Sequence, residues 1–147
     1  MIKVISFKEN IKEMRELFKP HWEEIATNKQ SRNLNVNEDL FFLLEETKKL
    51  LTIGAFIDNK LIGYSVNIIT PDTHDKTKIF CNNDALYVSK EYRKGNIGIK
   101  LIKKTETIAS TMGLYGVLWH AKPNSSLDKL LEKLNYSIKD FLYMKEV

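Results

Sequence analysis

The sequence predicts an α/β (α+β) domain: one mixed sheet with helices on both faces. Two patterns point to it. Short apolar or alternating runs, read as strands, are interleaved with longer runs of helical spacing. A basic, glycine-bearing turn, Tyr92-Arg93-Lys94-Gly95-Asn96-Ile97-Gly98, also joins one strand directly to a helix. The chain has 147 residues, 43% hydrophobic and 29% charged, which suits a globular domain with a real core. No repeat, low-complexity tract or linker divides it, so residues 1–147 are read as a single domain.

The elements follow in order. Ile2 to Phe7 reads as a short strand. Ile11, Met14, Leu17 and Phe18 carry helical spacing over Asn10 to Phe18, and Pro20 is expected to break that helix or start the next, which continues from His21 to Asn28. Residues 33–37 read as loop, and Glu38 to Lys49 as a helix with Leu40, Phe41 and Leu44 on its apolar face. Leu50 to Ile57 and Leu61 to Ile69 are strands around Asp58-Asn59-Lys60, a trio suited to a hairpin turn. After a loop over Thr70 to Lys76, Lys78 to Val88 is a further strand. A helix runs from near Gly98 to Met112, with Gly113 as its C-terminal cap. Gly116 to Ala121 reads as strand, Asn124 to Leu134 as helix, and Tyr136 to Lys145 as one or two closing strands.

Composition removes several function classes. Cys81 is the sole cysteine, so an internal disulfide and a zinc cluster are excluded, and a reducing cytoplasm is expected. His21, His74 and His120 lack ligand spacing, so no metal is expected. The opening apolar run is too short for a signal peptide, and no stretch approaches the ~20 apolar residues that span a bilayer. The net charge of +4 is too modest to indicate nucleic acid, and no aromatic platform or recognition helix accompanies it.

The positive charge nevertheless gathers at Lys90, Arg93, Lys94, Lys100, Lys103 and Lys104, around the glycine turn. A helix N-terminus presents unpaired N–H groups and the positive end of the macrodipole, so it favours anions. Glycines there admit unusual backbone conformations and close approach of a phosphate. Leu101, Thr105, Ile108 and Met112 line one face of the helix and Lys100, Lys103 and Lys104 another. Strand, turn and helix together point to a diphosphate site. No Gly-Lys-Ser/Thr follows, which excludes a Walker A loop, and the turn sits too late in the chain for a dinucleotide-binding first crossover.

Leu86-Tyr87-Val88, then Arg93-Lys94-Gly95-Asn96-Ile97-Gly98, then Leu101-Ile102 resembles the acetyl-CoA signature of the GNAT superfamily of N-acetyltransferases. Downstream, Asn124 and Leu130-Leu131-Glu132-Lys133-Leu134-Asn135-Tyr136 is similar to the family's Asn, six residues, then Tyr-Glu-Lys-Leu-Gly-Phe. The resemblance implies a mostly antiparallel sheet with a splayed central strand pair and acetyl-CoA as acetyl donor. It further implies that Leu86, Tyr87 and Val88 offer backbone groups to the pantetheine arm. Arg93, Lys94, Gly95, Asn96, Ile97 and Gly98 would wrap the diphosphate, and Asn124 would line the other wall of the cleft. Two positions depart from the family. Asn96 replaces the first glycine, and Asn enters the left-handed region readily enough for the turn to survive. Leu131 stands where the family usually has the tyrosine that protonates the leaving thiolate.

Acetyl transfer also needs a proton acceptor near the splayed strand. Asp84 shares strand parity with Leu86 and Val88; its plainer reading is a strand-end acid. His120, alternating with Trp119 before Asn124, is the second candidate, and its plainer reading is a hydrogen-bonded strand residue. His21, Trp22 and Glu24 are candidates for binding the acceptor, against ordinary amphipathic packing. Cys81 reads as a buried strand side chain, not a nucleophile. The leading expectation is an N-acetyltransferase acting on a small-molecule or protein amine by direct attack in a ternary complex. The alternative is a CoA-binding module with weak or lost transferase activity, which Leu131 favours. Relatives that dimerise through closing strands, and the apolar content of Tyr136 to Val147, make a homodimer an expectation by analogy.

Overall fold

The computed structural model describes residues 1–26 and 33–147. Five strands, β1 (Ile2–Ile5), β2 (Leu50–Ile57), β3 (Lys60–Pro71), β4 (Ile79–Val88) and β5 (Gly116–Leu118), form one sheet in the order β1-β2-β3-β4-β5. The first three pairings are antiparallel and the last is parallel. The helices are α1 (Ile11–Ile25), α2 (Glu38–Glu46), α3 (Ile97–Thr111) and α4 (Ser126–Lys133), with one 3₁₀ turn over Lys90–Gly95. No helix among the described residues is long and apolar enough to cross a membrane.

The hairpin forms as its residue types require: Asp58 and Asn59 both take left-handed φ, 49° and 63°, the conformation of a two-residue turn matched to strand twist. Gly63, on β3, has no alternative, because a Cβ there would lie 2.6 Å from the Tyr87 carbonyl of β4.

Two apolar layers cover the sheet. On one face Leu101 and Ala109 of α3 pack over Leu51, Ile53, Ala55, Ile62, Cys81 and Val88. On the other, Met14 and Leu17 of α1 pack with Phe7 against Tyr64, Val66 and Tyr87. Pro20 does not end the first helix as expected, because α1 carries it in its interior. An interior proline costs a helix roughly 3 kcal/mol. Burial of Met14, Leu17 and His21 on the same face lies on both sides of that position and offsets the cost. The expected helical stretch to Asn28 falls partly on residues 27–32, outside the described residues.

The closing strands expected over Tyr136 to Lys145 do not form. Ile138, Phe141, Leu142, Tyr143 and Met144 are exposed, and β5 itself is only three residues long. Alternation marks a segment able to be a strand, but pairing needs a neighbouring edge in register, which local sequence does not supply.

Candidate active site

β4 and β5 meet over three residue pairs, Phe80 with Gly116, Cys81 with Val117 and Asn82 with Leu118. Beyond Asn82 the two strands part, while β4 remains paired to β3 as far as Val88. The result is a wedge with one wall of β4 backbone, open from Asn83 to Val88. The splayed pair implied by the resemblance is therefore present.

At one end of the wedge lies the glycine turn. Asn96 sits at φ 60° and ψ 18°, in the left-handed region, and its carbonyl accepts the first bond of α3 from Lys100 N–H at 3.0 Å. An asparagine here performs the job of the family's glycine, at a modest conformational cost. Asn96 gives no side-chain cap to the helix, and α3 has no acidic residue in its first turn, so its N-terminal end keeps its positive character. A Cβ added at Gly95 or Gly98 would meet nothing within 4 Å. Open space over uncapped N–H groups, with Lys94 alongside, fits a diphosphate.

Arg93 does different work. Its Nε donates to the Val88 carbonyl at 2.8 Å, and its Nη2 donates to both carboxylate oxygens of Glu24, at 2.8 and 2.9 Å. The guanidinium also lies 5.5 Å from the Tyr87 ring centre. Arg93 thus ties the last residue of β4 to α1, and Lys90 adds a looser contact to Glu24 at 3.9 Å.

At the other end stand the candidate proton acceptors. Asp84 is exposed, yet the protein around it pushes its carboxyl above the usual carboxylate range, opposed by the positive influence of His120. His120 Nε2 lies 2.8 Å from Asn82 Oδ1, across the point where β4 and β5 part. Because that oxygen only accepts, Nε2 carries the proton and Nδ1 is left as the basic nitrogen. His120 thus meets β4 at Asn82, two residues before Asp84.

Of the α1 candidates, His21 faces inward and Glu24 is exposed, held by Arg93. His21 is buried, hydrogen-bonded to Tyr64 Oη at 2.8 Å and stacked on Tyr87 at 4.8 Å between ring centres. Burial lowers its pKa to about 4, against the opposing pull of Glu24. Trp22 is half-buried beside it. Asn124 sits in a left-handed turn, φ 62°, with its N–H bonded to Asp128 Oδ2 at 2.7 Å ahead of α4. Leu131 is buried on α4. Tyr136 donates to Glu106 of α3, and Ser125 caps α4 by accepting from Asp128 N–H at 3.2 Å. The Cys81 thiol is wholly buried and pushed up to about 11 by that burial, which leaves it inert.

Sequence reading did not find the buried polar cluster of Ser65, Asn67, Asn83 and Thr105 behind β4. Its signal was present: Ser65 and Asn67 are two polar residues at strand parity within a run that is otherwise apolar.

With the wedge and turn in place, comparison with known proteins is decisive. The profile of the Acetyltransferase (GNAT) family matches residues 11–136. The chain belongs to that family. No curated protein matches it. An aminoglycoside acetyltransferase from an uncultured soil metagenomic sample superposes at TM-score 0.79 with 16% identity, covering 100% of this chain and 97% of that one. Ribosomal-protein-alanine N-acetyltransferase from Brucella melitensis gives TM-score 0.76 and 16% identity, over 100% and 98%. An aminoglycoside N-acetyltransferase in complex with CoA gives TM-score 0.72 and 14% identity, over 100% of both chains. At these identities the likeness is one of fold. Membership makes this GNAT protein an acetyltransferase, of a family that uses acetyl-CoA.

Proposed function

We propose that this GNAT protein transfers the acetyl group of acetyl-CoA to a primary amine by direct attack within a ternary complex. The observation that carries the reading is the wedge between β4 and β5, with an uncapped helix N-terminus at one end and Asp84, two residues beyond the His120-bonded Asn82, at the other. Acetyl-CoA supplies a thioester carbonyl open to attack by nitrogen. The N-terminal turn of α3, Gly95, Gly98 and Lys94 hold the diphosphate, the β4 edge from Leu86 to Val88 aligns the pantetheine arm, and Asn124 flanks it. A β4 backbone N–H near Val88 polarises the carbonyl oxygen. Asp84, directly or through one water, takes the proton as nitrogen bonds to the acetyl carbon and the carbon–sulfur bond breaks. A carboxyl held above its usual range is a better base for this purpose than an ordinary one.

No tyrosine stands at Leu131 to protonate the sulfur. A thiol with a pKa near ~8.5 leaves tolerably as thiolate. General acid help of about 10²–10⁴-fold accelerates such a step without being required for it.

The acceptor class is an amine, in line with the aminoglycoside and ribosomal-protein acetyltransferases that share the fold. Trp22 is placed as its apolar contact, with His21 and Glu24 holding the wall behind. The exposed apolar side chains from Ile138 to Met144 favour pairing of two copies through the C-terminal segments, which light scattering on the purified protein tests.

A second reading, a CoA-binding module without turnover, rests on buried Leu131. Calorimetry with acetyl-CoA, wild type beside Gly98→Glu, tests the site: a carboxylate in the diphosphate's place should weaken binding by more than about 100-fold. Absent binding by folded wild type overturns both readings. Binding without turnover across a panel of amines leaves only the second.

A further inference from the structure

The pairing of β3 with β4 shifts within the wedge. Val66 faces Ala85 and Asn67 faces Asn83, so Asp84 is an extra residue with no partner on β3. Such a bulge re-aims the side chains around it. Cys81 and Asn83 point toward α3, but beyond the bulge it is Leu86 and Val88 that do so, while Ala85 and Tyr87 turn to the α1 face. Asp84 stands where the alternation reverses.

What holds the bulge is a single carboxamide. Asn83 is buried at 3% exposure. Its Nδ2 lies 2.9 Å from Asn67 Oδ1 and 3.2 Å from each of Ser65 Oγ, the Val66 carbonyl and the Ala85 carbonyl. The last two carbonyls belong to Val66 and Ala85, the facing pair next to the shift. The chain of bonds continues to a helix. Thr105 Oγ1 donates to the Leu101 carbonyl at 2.9 Å, so the Ser65 hydroxyl, 3.2 Å away, is the group that donates to Thr105. Asn67 Nδ2 donates to the Leu51 carbonyl and to Ser65 Oγ, both at 3.1 Å. Asn67 Oδ1 and the two strand carbonyls remain as acceptors, and Asn83 is the donor that serves them. The two N–H groups of Asn83 are shared among these acceptors, and a buried network so connected favours one arrangement.

We propose that Asn83 is a positioning residue for acetyl transfer: its carboxamide locks the β4 bulge and so aims the Asp84 carboxylate into the wedge. The inference rests on Asp84 as proton acceptor. The titratable groups facing Asp84 are His120, beyond β5, and Tyr64, on β3, whose hydroxyl is held protonated by burial and by the neighbouring Tyr87 and Asp84. Neither touches Asn83, so a change in the Asp84 environment on mutating Asn83 comes from the strand itself.

The test compares Asn83→Val, Asn83→Ser and Asp84→Asn with wild type, using acetyl-CoA and an accepted amine. It reads kcat, acetyl-CoA affinity by calorimetry, and kcat/KM against pH. Asn83→Val should lower kcat by about 10- to 100-fold, the cost of a catalytic group misplaced by about an ångström, with acetyl-CoA affinity retained. Its acidic limb should move toward the ordinary carboxylate value as Asp84 gains water. Asn83→Ser, which keeps one donor, should recover part of kcat. A kcat loss matched by an equal loss of acetyl-CoA affinity, with the limb unmoved, marks a merely structural role and overturns the proposal. So does an unchanged kcat. Should Asn83→Val fail to fold, the same comparison is read from Asn83→Ser. If Asp84→Asn keeps wild-type kcat and limb, the base assignment itself falls and takes this inference with it; if Asp84→Asn is inactive while the Asn83 variants are normal, only this inference falls.

Discussion

The two ends of the wedge are built by opposite means. The turn end is local: Asn96, Gly98 and the first turn of α3 are contiguous, and what they offer a ligand is backbone. The acceptor end draws on β3, β4, the segment after β5, and α1, with His21 bonded to Tyr64 and His120 to Asn82 across long sequence separations. A site made of backbone tolerates substitution so long as φ is available, as Asn96 illustrates. A site made of side chains depends on burial and register, and a one-residue slip would redirect it.

The largest effect expected at the assembled end is chemical. Asp84→Asn should lower kcat/KM by about 10²–10⁴-fold, the range for loss of a general base. Water displaced by the surrounding protein holds the exposed Asp84 carboxyl above the usual range, so wild-type activity should fall with decreasing pH at a value higher than an ordinary aspartate sets. That limb should vanish in Asp84→Asn; a wild-type profile in the variant would move the base to His120.

Next is a stability effect at the same end. His21 is folded in its neutral form, its pKa lowered from 6.5 to about 4. Between those values the unfolded chain binds the proton and the folded protein does not. The stability is therefore fully present above about pH 6.5 and is lost as pH falls toward 4, on the order of 3 kcal/mol in all. Urea unfolding of wild type and His21→Phe across that window measures it. The wild-type curve should fall more steeply than the variant's, and equal slopes would show that His21 is not the group responsible.

The smallest effect belongs to the contiguous end. Asn96→Ala forces a Cβ without a helpful amide into φ 60°, and should cost about 1 kcal/mol in thermal stability with a small loss of acetyl-CoA affinity. Asn96→Gly should keep both. A large affinity loss in Asn96→Ala would mean that the amide itself touches the ligand, and the contrast between the two ends would narrow.

Legibility in the sequence followed the same divide. The hairpin at Asp58-Asn59, the cap at Gly113 and the turn at Asn96 were all readable, because each is a demand on φ that only a few residue types meet. The resemblance to the acetyl-CoA signature lay in that contiguous stretch too. Pro20 misled, since a local penalty was set against packing that local sequence does not show. The closing segment misled for the matching reason: apolar alternation with no paired edge remains irregular chain. Arg93 was expected among the diphosphate ligands, but the structure engages it with Val88 and Glu24. That partner lies 69 positions away in the chain, beyond the reach of any motif.

By itself, then, the sequence determined the class of fold and the strand–turn–helix junction, because these rest on periodicity and on backbone conformations that individual residues either permit or forbid, and it carried the signature by which the chain resembles its family. Only the tertiary structure decided which way Asp84 points. Its parity along β4 suggested that it shares a face with Leu86 and Val88, and the bulge at its own position, beside the bonds of Asn83, breaks that parity. Direction in a strand is a property of pairing, and pairing exists only once the neighbouring strand is in place.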